Sequence, residues 1–386
     1  MKKRLLFVIP TFEIGGTVVS VKNLLLLLND EYDITLFCMS GVGTMKYMFD
    51  NDKQLRSPVV IKALTAPSWK RGGTFVGQIC YALVRTVAKF SIIKHILFRY
   101  YTKKFINSSD YDVVIASEEG ICTKFISFAN VKRKIAWVRC DYKKYFDKLS
   151  QKSELGYYRQ FDNIVCVSQL TSQNFKNCYP GLADKVIAIN NPQSSNYILQ
   201  QSLIDDNDTR FDNNVFTIVS IGRFSPVKRF NFIPSIASFL KDKGAQFKWY
   251  IIGGGDDKIE TEIRDKIAHF SLTSNVELLG VKANPHYYIS KADLLVSLSI
   301  SEACPRVINE AKILHTPVVC TNFDTASEYL INGEDGIIST IDDIQSEILN
   351  MIQDSHKYQQ IKDRISQFKF DNNTLLIQIK ELFESN

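Results

Sequence analysis

Residues 292–299, Ala-Asp-Leu-Leu-Val-Ser-Leu-Ser, have the pattern of a buried strand, and residues 301–311, Ser-Glu-Ala-Cys-Pro-Arg-Val-Ile-Asn-Glu-Ala, that of a loop leading into a helix. Pro305 suits the first position of this helix, where its missing N–H costs nothing. We therefore expect Glu302 in the loop and Glu310 in the second turn of the helix. From those positions both carboxylates can reach one ligand above the helix N-terminus, whereas on one continuous helix they would point about 80° apart.

The charges at this helix N-terminus indicate the chemistry of the ligand. Free N–H groups and the positive end of the helix dipole favour a phosphate. Two carboxylates repel phosphate and favour hydroxyl groups instead. A sugar nucleotide carries both kinds of group, because its sugar and its ribose supply hydroxyls.

Strand-like apolar runs alternate with helical patterns along the whole chain, which predicts a parallel, doubly wound α/β architecture. In the first half the predicted strands are Arg4–Ile9, Asp33–Cys38, Val59–Leu64, Asp112–Ala116, Lys134–Val138, Asn163–Ser168 and Val186–Asn190. In the second half they are Val215–Ile221, Gln246–Ile252, Val276–Leu279, Ala292–Ser299 and Pro317–Thr321. We predict two Rossmann-like domains, 1–192 and 215–369, joined by a polar linker at 193–214 and facing a central cleft. A closing helix at about 370–386 is expected to pack back on the first domain.

Length and composition are those of a globular α/β protein with two domains, since 386 residues are many for a single core. The eight cysteines form no CxxC pair, so we expect reduced core residues and a cytoplasmic protein. The apolar run from Leu5 to Pro10 is too short for a signal peptide. No uncharged apolar run reaches about 18 residues, which predicts no membrane span.

The two halves of the chain differ in charge. Residues 1–200 carry 28 lysines and arginines against 15 acidic residues, and residues 201–386 carry 19 against 26. A basic first half indicates an anionic partner, and nucleic acid, an anionic membrane and a lipid diphosphate are candidates. Within it, Gly77–Phe105 mixes basic and apolar residues, as in a helix that lies on a membrane or in an ordinary surface helix. We favour peripheral contact with an anionic membrane, and expect no nucleic-acid partner.

Glycines follow three of the predicted strands. Gly222 lets the backbone approach a ligand, and Arg223 and Lys228 can clamp a diphosphate. The turn at 253–255, Gly-Gly-Gly, is either a ligand-binding turn or an ordinary tight turn. The loop at 15–17, Gly-Gly-Thr, suits a diphosphate or close substrate approach, but it is not the GxGxxG of a dinucleotide site.

No metal site is predicted. Asp110-Tyr-Asp112 precedes its strand, whereas coordination near the cleft would need it at the carboxyl end. The five histidines form no pair with the spacing of zinc ligands.

Taken together, these motifs resemble those of the retaining, two-domain GT-B glycosyltransferases of family 4. The matching positions are Gly222, Arg223 and Lys228, the turn at 253–255, Leu279-Gly280, Glu302 with Glu310, Thr316-Pro-Val-Val and Ser327–Gly336. The resemblance implies a GT-B fold and transfer of a sugar from a nucleoside diphosphate donor, a UDP-sugar. It implies a glycan or lipid-diphosphate acceptor, as in surface polysaccharide assembly on the inner face of the plasma membrane.

The resemblance also implies roles for individual residues. The candidate catalytic residues are Glu302, Arg223, Lys228 and Arg139. Arg223 and Lys228 would hold the donor diphosphate, Glu302 the donor sugar and Glu310 the ribose. Further donor contacts would come from Gly222, Gly253 and Val281 and from the backbone at Cys304, Pro305, Arg306 and Val307. On the acceptor side, Gly15, Gly16 and Thr17 would form a phosphate loop. No metal or other cofactor is expected, because fixed cations and a helix dipole would replace it.

Three positions depart from the family pattern. Ala303 stands where glycine is usual, which should be tolerated. Arg139 stands where relatives often carry a histidine facing the sugar. It either supplies a charge to an anionic donor or acceptor, or the position has lost its role, and an arginine cannot act as a base. His315 stands where glycine is common, so its backbone either does without a positive φ or is strained. Two alternatives stay open. One is a GT-B sugar-nucleotide epimerase, which would need acid/base side chains in the cleft, and the other is a degenerate transferase that acts as an assembly partner, which Arg139 and His315 would support.

Overall fold

The computed structural model describes residues 2–13, 15–65, 82, 86, 91–149, 154–204, 211 and 215–385. The chain divides into two compact units, Met1–Pro192 with Asn373–Asn386, and Gln193–Asn372. In the part of the chain that the structure describes, no helix combines the length and the apolar character needed to cross a membrane. The seven described cysteines are unpaired thiols, and four of them are buried.

The first unit is built on a six-stranded parallel sheet. Its strands are β1 (Arg4–Ile9), β2 (Asp33–Cys38), β3 (Val113–Ala116), β4 (Arg133–Val138), β5 (Asn163–Cys166) and β6 (Val186–Ala188). They lie in the order β2-β1-β3-β4-β5-β6, so the chain reverses its direction of winding between β1 and β3. The carboxyl ends of these two strands therefore form the topological switch point, where ligands of such sheets bind.

Helices cover this sheet and connect its strands. They are α1 (Gly16–Leu28), α2 (Val59–Thr65), α3 (Ser91–Phe105), α4 (Ile121–Ile126), α5 (Tyr142–Lys148), α6 (Leu155–Tyr158) and α7 (Gln169–Cys178). The residues from 373 onward, in the last helix, also belong to this unit. There Phe383 packs edge-on against Phe7 and Tyr32, and Lys3 Nζ lies 2.8 Å from a Glu384 carboxylate oxygen.

The second unit repeats the architecture with its own six-stranded parallel sheet. Its strands are β7 (Phe216–Ile221), β8 (Phe247–Ile252), β9 (Val276–Gly280), β10 (Leu294–Ser297), β11 (Val318–Thr321) and β12 (Ile337–Ser339). The order is β12-β11-β10-β7-β8-β9, which places the switch point between β7 and β10. The predicted α/β class with two doubly wound sheets is thus confirmed.

The helices of the second unit flank this sheet. They are α8 (Ser195–Ser202), α9 (Ile233–Asp242), α10 (Asp257–His269), α11 (Pro285–Lys291), α12 (Arg306–Ile313), α13 (Ile344–Gln353) and α14 (Ser355–Ser366). The last helix, α15 (Asn372–Glu384), belongs to the first unit from Asn373 onward. Both faces of the sheet are covered, so β10 and β11 are buried at every position.

Two sequence predictions about these elements were wrong. Val59–Leu64 forms helix α2 instead of a strand, because Pro58 starts a helical turn in which its carbonyl accepts the Lys62 N–H at 3.0 Å. A short apolar run does not distinguish a strand from a buried helix. The polar stretch at 193–214 is not all linker, since α8 packs on α11 and Asn284 donates to the Gln201 carbonyl. Of the basic stretch Gly77–Phe105, residues 77–81, 83–85 and 87–90 lie outside the described residues.

Candidate functional site

Three turns at the carboxyl ends of β7, β8 and β9 are packed backbone to backbone. The Gly222 N–H donates to Ile252 at 3.0 Å, and the Gly253 N–H donates to Gly280 at 2.8 Å. Gly253 has a φ of 149°, and a Cβ added to it would lie 1.8 Å from the Gly222 carbonyl oxygen. Only glycine fits there, which explains the glycine turn by close backbone approach. The structure thereby brings the candidate residues Gly222, Gly253 and Val281 to one edge of the second sheet.

A lysine–carboxylate pair lies at the switch point of the second sheet. Lys228 follows β7 in a short 3₁₀ turn, and its Nζ contacts a carboxylate oxygen of Glu302, which follows β10. The Ser299 hydroxyl donates to the same carboxylate at 2.7 Å. The two loops are tied together, because the Ile300 N–H donates to the Val227 carbonyl at 2.8 Å. Lys228 and Glu302, predicted from distant stretches of sequence, are therefore direct neighbours.

Helix α12 begins directly after this pair. It starts at Arg306 behind Pro305, so the first N–H groups of the helix have no acceptor inside it. The loop before α12 is held in place by a hydrogen bond, since the Thr325 hydroxyl donates to the Glu302 carbonyl at 2.8 Å. Cys304 and Val307 are half-buried at this N-terminus. Pro305 is the residue before the helix and not its first residue, one position from the expectation.

Glu310 lies in the second turn of α12, as expected, and is almost fully buried. Arg306 Nη2 contacts one of its oxygens, and His286 Nε2 lies 3.8 Å from the other. Burial lowers the pKa of His286, although the nearby Glu310 charge opposes the effect. His286 therefore stands beside Glu310 as a neutral imidazole at pH 7. The sequence carried no signal for it, because it belongs to no motif.

Arg223 has an exposed side chain. Its side chain passes the glycine turn, with Cγ 3.0 Å from the position of a Cβ on Gly255. An exposed arginine beside the turn that follows β8 can still reach a phosphate at the strand ends.

The first unit gathers a separate set of polar residues at the ends of its strands. Arg139, after β4, is held by the Ser117 carbonyl at 2.7 Å from Nε and by Asn191 Oδ1 near Nη1. Its backbone N–H donates to Glu119 at 2.9 Å. Arg139 thus fastens the ends of β3 and β4 to the segment after β6, a role that the sequence did not suggest.

Glu118 and Glu119 are functional candidates that sequence reasoning missed. Both follow β3 after Ser117, and the Glu118 carboxyl accepts a hydrogen bond from Thr17 in the first turn of α1. Burial, and next the charge of Glu119, raise the pKa of Glu118 to about 7, against the opposing effects of Thr17 and Arg139. The available signal was the pair of acidic residues at the end of an apolar run, Val113–Ala116. Gly15, Gly16 and Thr17 lie where predicted, at the start of α1.

His315 has a φ of 56°, in the left-handed region that favours glycine. The sequence left open whether the His315 backbone avoids a positive φ or is strained, and the structure shows the strained conformation. The Lys362 ammonium donates to the His315 carbonyl at 2.9 Å, which helps to hold this turn.

The described residues thus define a class of protein with two doubly wound parallel sheets, each with polar groups at its switch point. Known structures share this fold. HepE from Anabaena, solved in complex with UDP and glucose, matches with a TM-score of 0.75 at 19% identity over 100% of both chains. TarM matches with a TM-score of 0.74 at 15% identity over 100% of this chain and 99% of that one. The fold is GT-B, as predicted.

The second unit matches a known protein family. Residues 202–368 match the family model described as glycosyl transferases group 1. An uncharacterized glycosyltransferase of Methanocaldococcus jannaschii, MJ1059, is 24% identical over 270 residues, 66% of this chain and 65% of the relative. The chain therefore spans just under two thirds of that relative. The Vi polysaccharide biosynthesis protein VipC/TviE of Salmonella typhi is 26% identical over 131 residues, 34% of this chain and 22% of the relative. Residues 202–368 therefore match the group 1 glycosyl transferases, in agreement with the resemblance that the sequence motifs predicted.

Proposed function

We propose that the protein transfers a sugar, with retention of anomeric configuration, from a UDP-sugar to a glycan or lipid-diphosphate-linked acceptor in surface polysaccharide biosynthesis. The observation that carries the proposal is the Lys228–Glu302 pair at a switch point, directly before the N-terminus of α12. Cation, carboxylate and helix N-terminus together suit a pyrophosphate flanked by hydroxyl groups. The HepE complex with UDP and glucose, and the name of the Salmonella relative, support the choice of donor and pathway.

In the proposed complex the donor pyrophosphate lies over the start of α12. Lys228 and Arg223 bind its oxygens and offset the negative charge that grows as the nucleotide leaves. Lys228 is already within reach, and it passes from Glu302 to the phosphate when the donor enters. Glu302 is then free to accept hydrogen bonds from the donor sugar.

In this proposal the Glu310 carboxylate binds the ribose, and its neighbours orient it before the donor binds. Arg306 and His286 hold its carboxylate from two sides, so it is oriented before the donor arrives. A carboxylate has about four lone-pair sites, so it can keep Arg306 and still accept from ribose hydroxyls. Val281, at the edge beside Gly254, faces the base through its backbone in this proposal.

Retention is proposed to follow from attack on the face from which the nucleotide leaves. The acceptor hydroxyl loses its proton to an oxygen of the departing β-phosphate, so no side chain has to act as the base. This agrees with Arg139, which cannot take up a proton and is engaged by Ser117 and Asn191. Arg139 is then a positioning residue of the first unit. No metal or other cofactor is proposed for this reaction.

The choice of donor can be tested by thermal unfolding with a panel of nucleoside diphosphate sugars. A ligand at 100 times its Kd should stabilise the protein by about 2.7 kcal/mol, which corresponds to a rise in Tm of several degrees. We expect UDP-sugars to give this shift and GDP- and ADP-sugars to give less. A panel in which no nucleotide sugar shifts Tm would contradict the proposed function.

The product of the reaction separates transfer from the two alternatives. A transferase releases free UDP only together with a glycosylated acceptor. An epimerase instead returns an isomerised UDP-sugar, and Glu118 is a group that could take up and release a proton near neutral pH. A degenerate transferase would bind the UDP-sugar without converting it to UDP or to an isomer. Chromatography of the nucleotide products distinguishes the three outcomes.

Peripheral membrane contact is proposed for α3, on the inner face of the plasma membrane. One face of the helix is buried through Phe98 and Thr102, while Ile92, Ile96 and Tyr100 are 72%, 61% and 56% exposed at a spacing of four residues. Exposed basic side chains accompany this stripe at Arg99, Lys103 and Lys104. An apolar stripe flanked by cations suits an anionic lipid surface.

Replacing Ile92 and Ile96 together with serine should weaken binding to phosphatidylglycerol vesicles more than tenfold, because each isoleucine contributes about 1.5–3 kcal/mol when fully buried. Vesicle co-sedimentation measures this. The matched control is Ile377→Ser, which removes a similarly exposed isoleucine, 58%, from α15. Equal vesicle binding by the α3 double variant and the wild type would refute the membrane role of α3.

A further inference from the structure

The switch point of the first sheet holds a carboxyl group that the proposed chemistry does not use. Glu118 follows β3, and the position before it continues the β-ladder, with the Ser117 N–H donating to the Val8 carbonyl of β1 at 2.9 Å. The Glu118 carbonyl accepts from Thr123 at 3.2 Å. The backbone is therefore held on one side of Glu118 by β1 and on the other by Thr123 of α4.

The neighbours of Glu118 differ from those of the adjacent Glu119. Glu119 has two hydrogen-bond partners in the residues that follow β4. It accepts a hydrogen bond from the Arg139 backbone N–H, and it is hydrogen-bonded with the Cys140 thiol. Glu118 has the Thr17 hydroxyl as its hydrogen-bond partner and Arg139 as a nearby cation. A carboxylate can accept about four hydrogen bonds, so Glu118 keeps acceptor capacity at the very place where ligands of such sheets bind.

The same carboxyl group changes the chemistry of the glycine loop. The start of α1, with Gly15, Gly16 and Thr17, would by itself attract a phosphate. A carboxylate hydrogen-bonded to Thr17, in the first turn of that helix, repels a phosphate and attracts hydroxyl groups. At residues 15–17 the carboxyl group favours a ligand with hydroxyl groups over the phosphate that the sequence predicts.

We infer that Glu118 is a specificity-determining residue, which accepts a hydrogen bond from a hydroxyl of a neutral sugar unit of the acceptor and keeps phosphate groups away from the start of α1. The inference rests on the proposed function, because it takes the molecule bound at this switch point to be the acceptor. If the acceptor carries a lipid diphosphate, the diphosphate lies outside the site formed by Glu118 and the start of α1. Only the sugar of the acceptor enters this site.

Acceptor binding should depend on pH through this residue. The charged and titratable groups around Glu118 are Glu119, Arg139 and the buried thiols of Cys122 and Cys140. Burial places the Glu118 pKa at about 7, while the pKa of each thiol is raised, so neither thiol ionises near neutrality. From pH 6 to pH 8 Glu118 changes from mostly neutral to mostly ionised. An ionised carboxylate is the stronger hydrogen-bond acceptor, so the acceptor KM should fall as the pH rises.

The test uses the full chain, the donor identified by the thermal panel, and two sets of acceptor probes. The neutral probes are octyl glycosides of glucose, galactose and N-acetylglucosamine, and the charged probes are the corresponding sugar 1-phosphates. In the wild type we expect transfer to a neutral probe and a KM that falls between pH 6 and pH 8. In Glu118→Gln we expect the KM to rise about tenfold or more, with kcat little changed and the pH dependence lost.

Two further variants separate this role from a structural one. Glu118→Asp keeps the carboxyl group and should retain the pH dependence with a smaller rise in KM. Glu31→Gln, which removes an exposed carboxylate paired with Lys380 in the same unit, should leave the KM unchanged. A KM and pH profile unchanged in Glu118→Gln, transfer only to sugar phosphates, or no use of any neutral probe would overturn the inference.

Failure of the inference can be told apart from failure of the proposed function. UDP binding to the second unit is followed separately, by its effect on Tm. If UDP raises the Tm of the wild type and of Glu118→Gln equally, and the acceptor KM is the same in both proteins, only the inference is wrong. If no nucleotide sugar binds, the proposed function itself is wrong.

Discussion

Replacing Lys228 with alanine should lower kcat for sugar transfer by about 10²–10³-fold, the usual cost of removing one group that stabilises transition-state charge. Lys228 lies at the switch point of the second sheet in contact with Glu302, directly before α12. When the nucleotide leaves, negative charge grows on the pyrophosphate. Without Lys228 that charge is met only by Arg223 and the helix N-terminus, so the barrier rises.

The fold should survive this substitution. The Lys228 side chain is 27% exposed, and Glu302, at 14% exposed, loses its cation but keeps its hydrogen bond from Ser299, so we expect a lower Tm with the cooperative unfolding transition retained. Initial rates of UDP release, with circular dichroism to check folding, measure the two effects. The matched control is Lys243→Ala, an exposed lysine that follows α9, and it should keep wild-type activity. Full activity in Lys228→Ala would remove Lys228 from the proposed mechanism.

Asp335→Ala should destabilise the second unit by about 3–5 kcal/mol, because it leaves a buried charge without its partner. That charge is the ammonium of Lys312 on α12, which lies 2.6 Å from an Asp335 oxygen and is only 7% exposed. Lys312 also donates to the Tyr329 carbonyl at 2.8 Å and lies 4.3 Å from the centre of the Phe368 ring. This pair holds the segment at 325–335 against the helix that carries Glu310.

Urea unfolding followed by circular dichroism measures the effect, and the transition of the second unit is the relevant one because two units need not unfold together. The matched control is Glu347→Ala, which breaks a half-exposed pair with Lys357 and should cost at most about 1 kcal/mol. The double variant Lys312→Met with Asp335→Ala should recover part of the lost stability, since no unpaired charge remains. A loss in Asp335→Ala no larger than in the control would show that the ammonium finds other partners.

Much of the second unit was predictable because its signals are local. A buried strand, a glycine turn and a helix with a proline at its start follow one another within about thirty residues, and each obeys rules of backbone geometry. The spacing from Glu302 to Glu310 placed one carboxylate in a loop and the other in the second turn of α12, as the structure shows. Where the signal was ambiguous the prediction failed, as for the short apolar run at 59–64 that forms α2.

The sequence by itself therefore determined the two parallel sheets and the motif residues at the ends of β7, β8 and β10. Only the tertiary structure decided which of these residues touch. Lys228 and Glu302 are 74 positions apart and meet because β7 and β10 are neighbours at a switch point. The roles of Arg139, His286 and Glu118 were decided in the same way. Their partners come from other strands and helices, and burial, which sets the pKa of Glu118 and His286, exists only once those elements have packed.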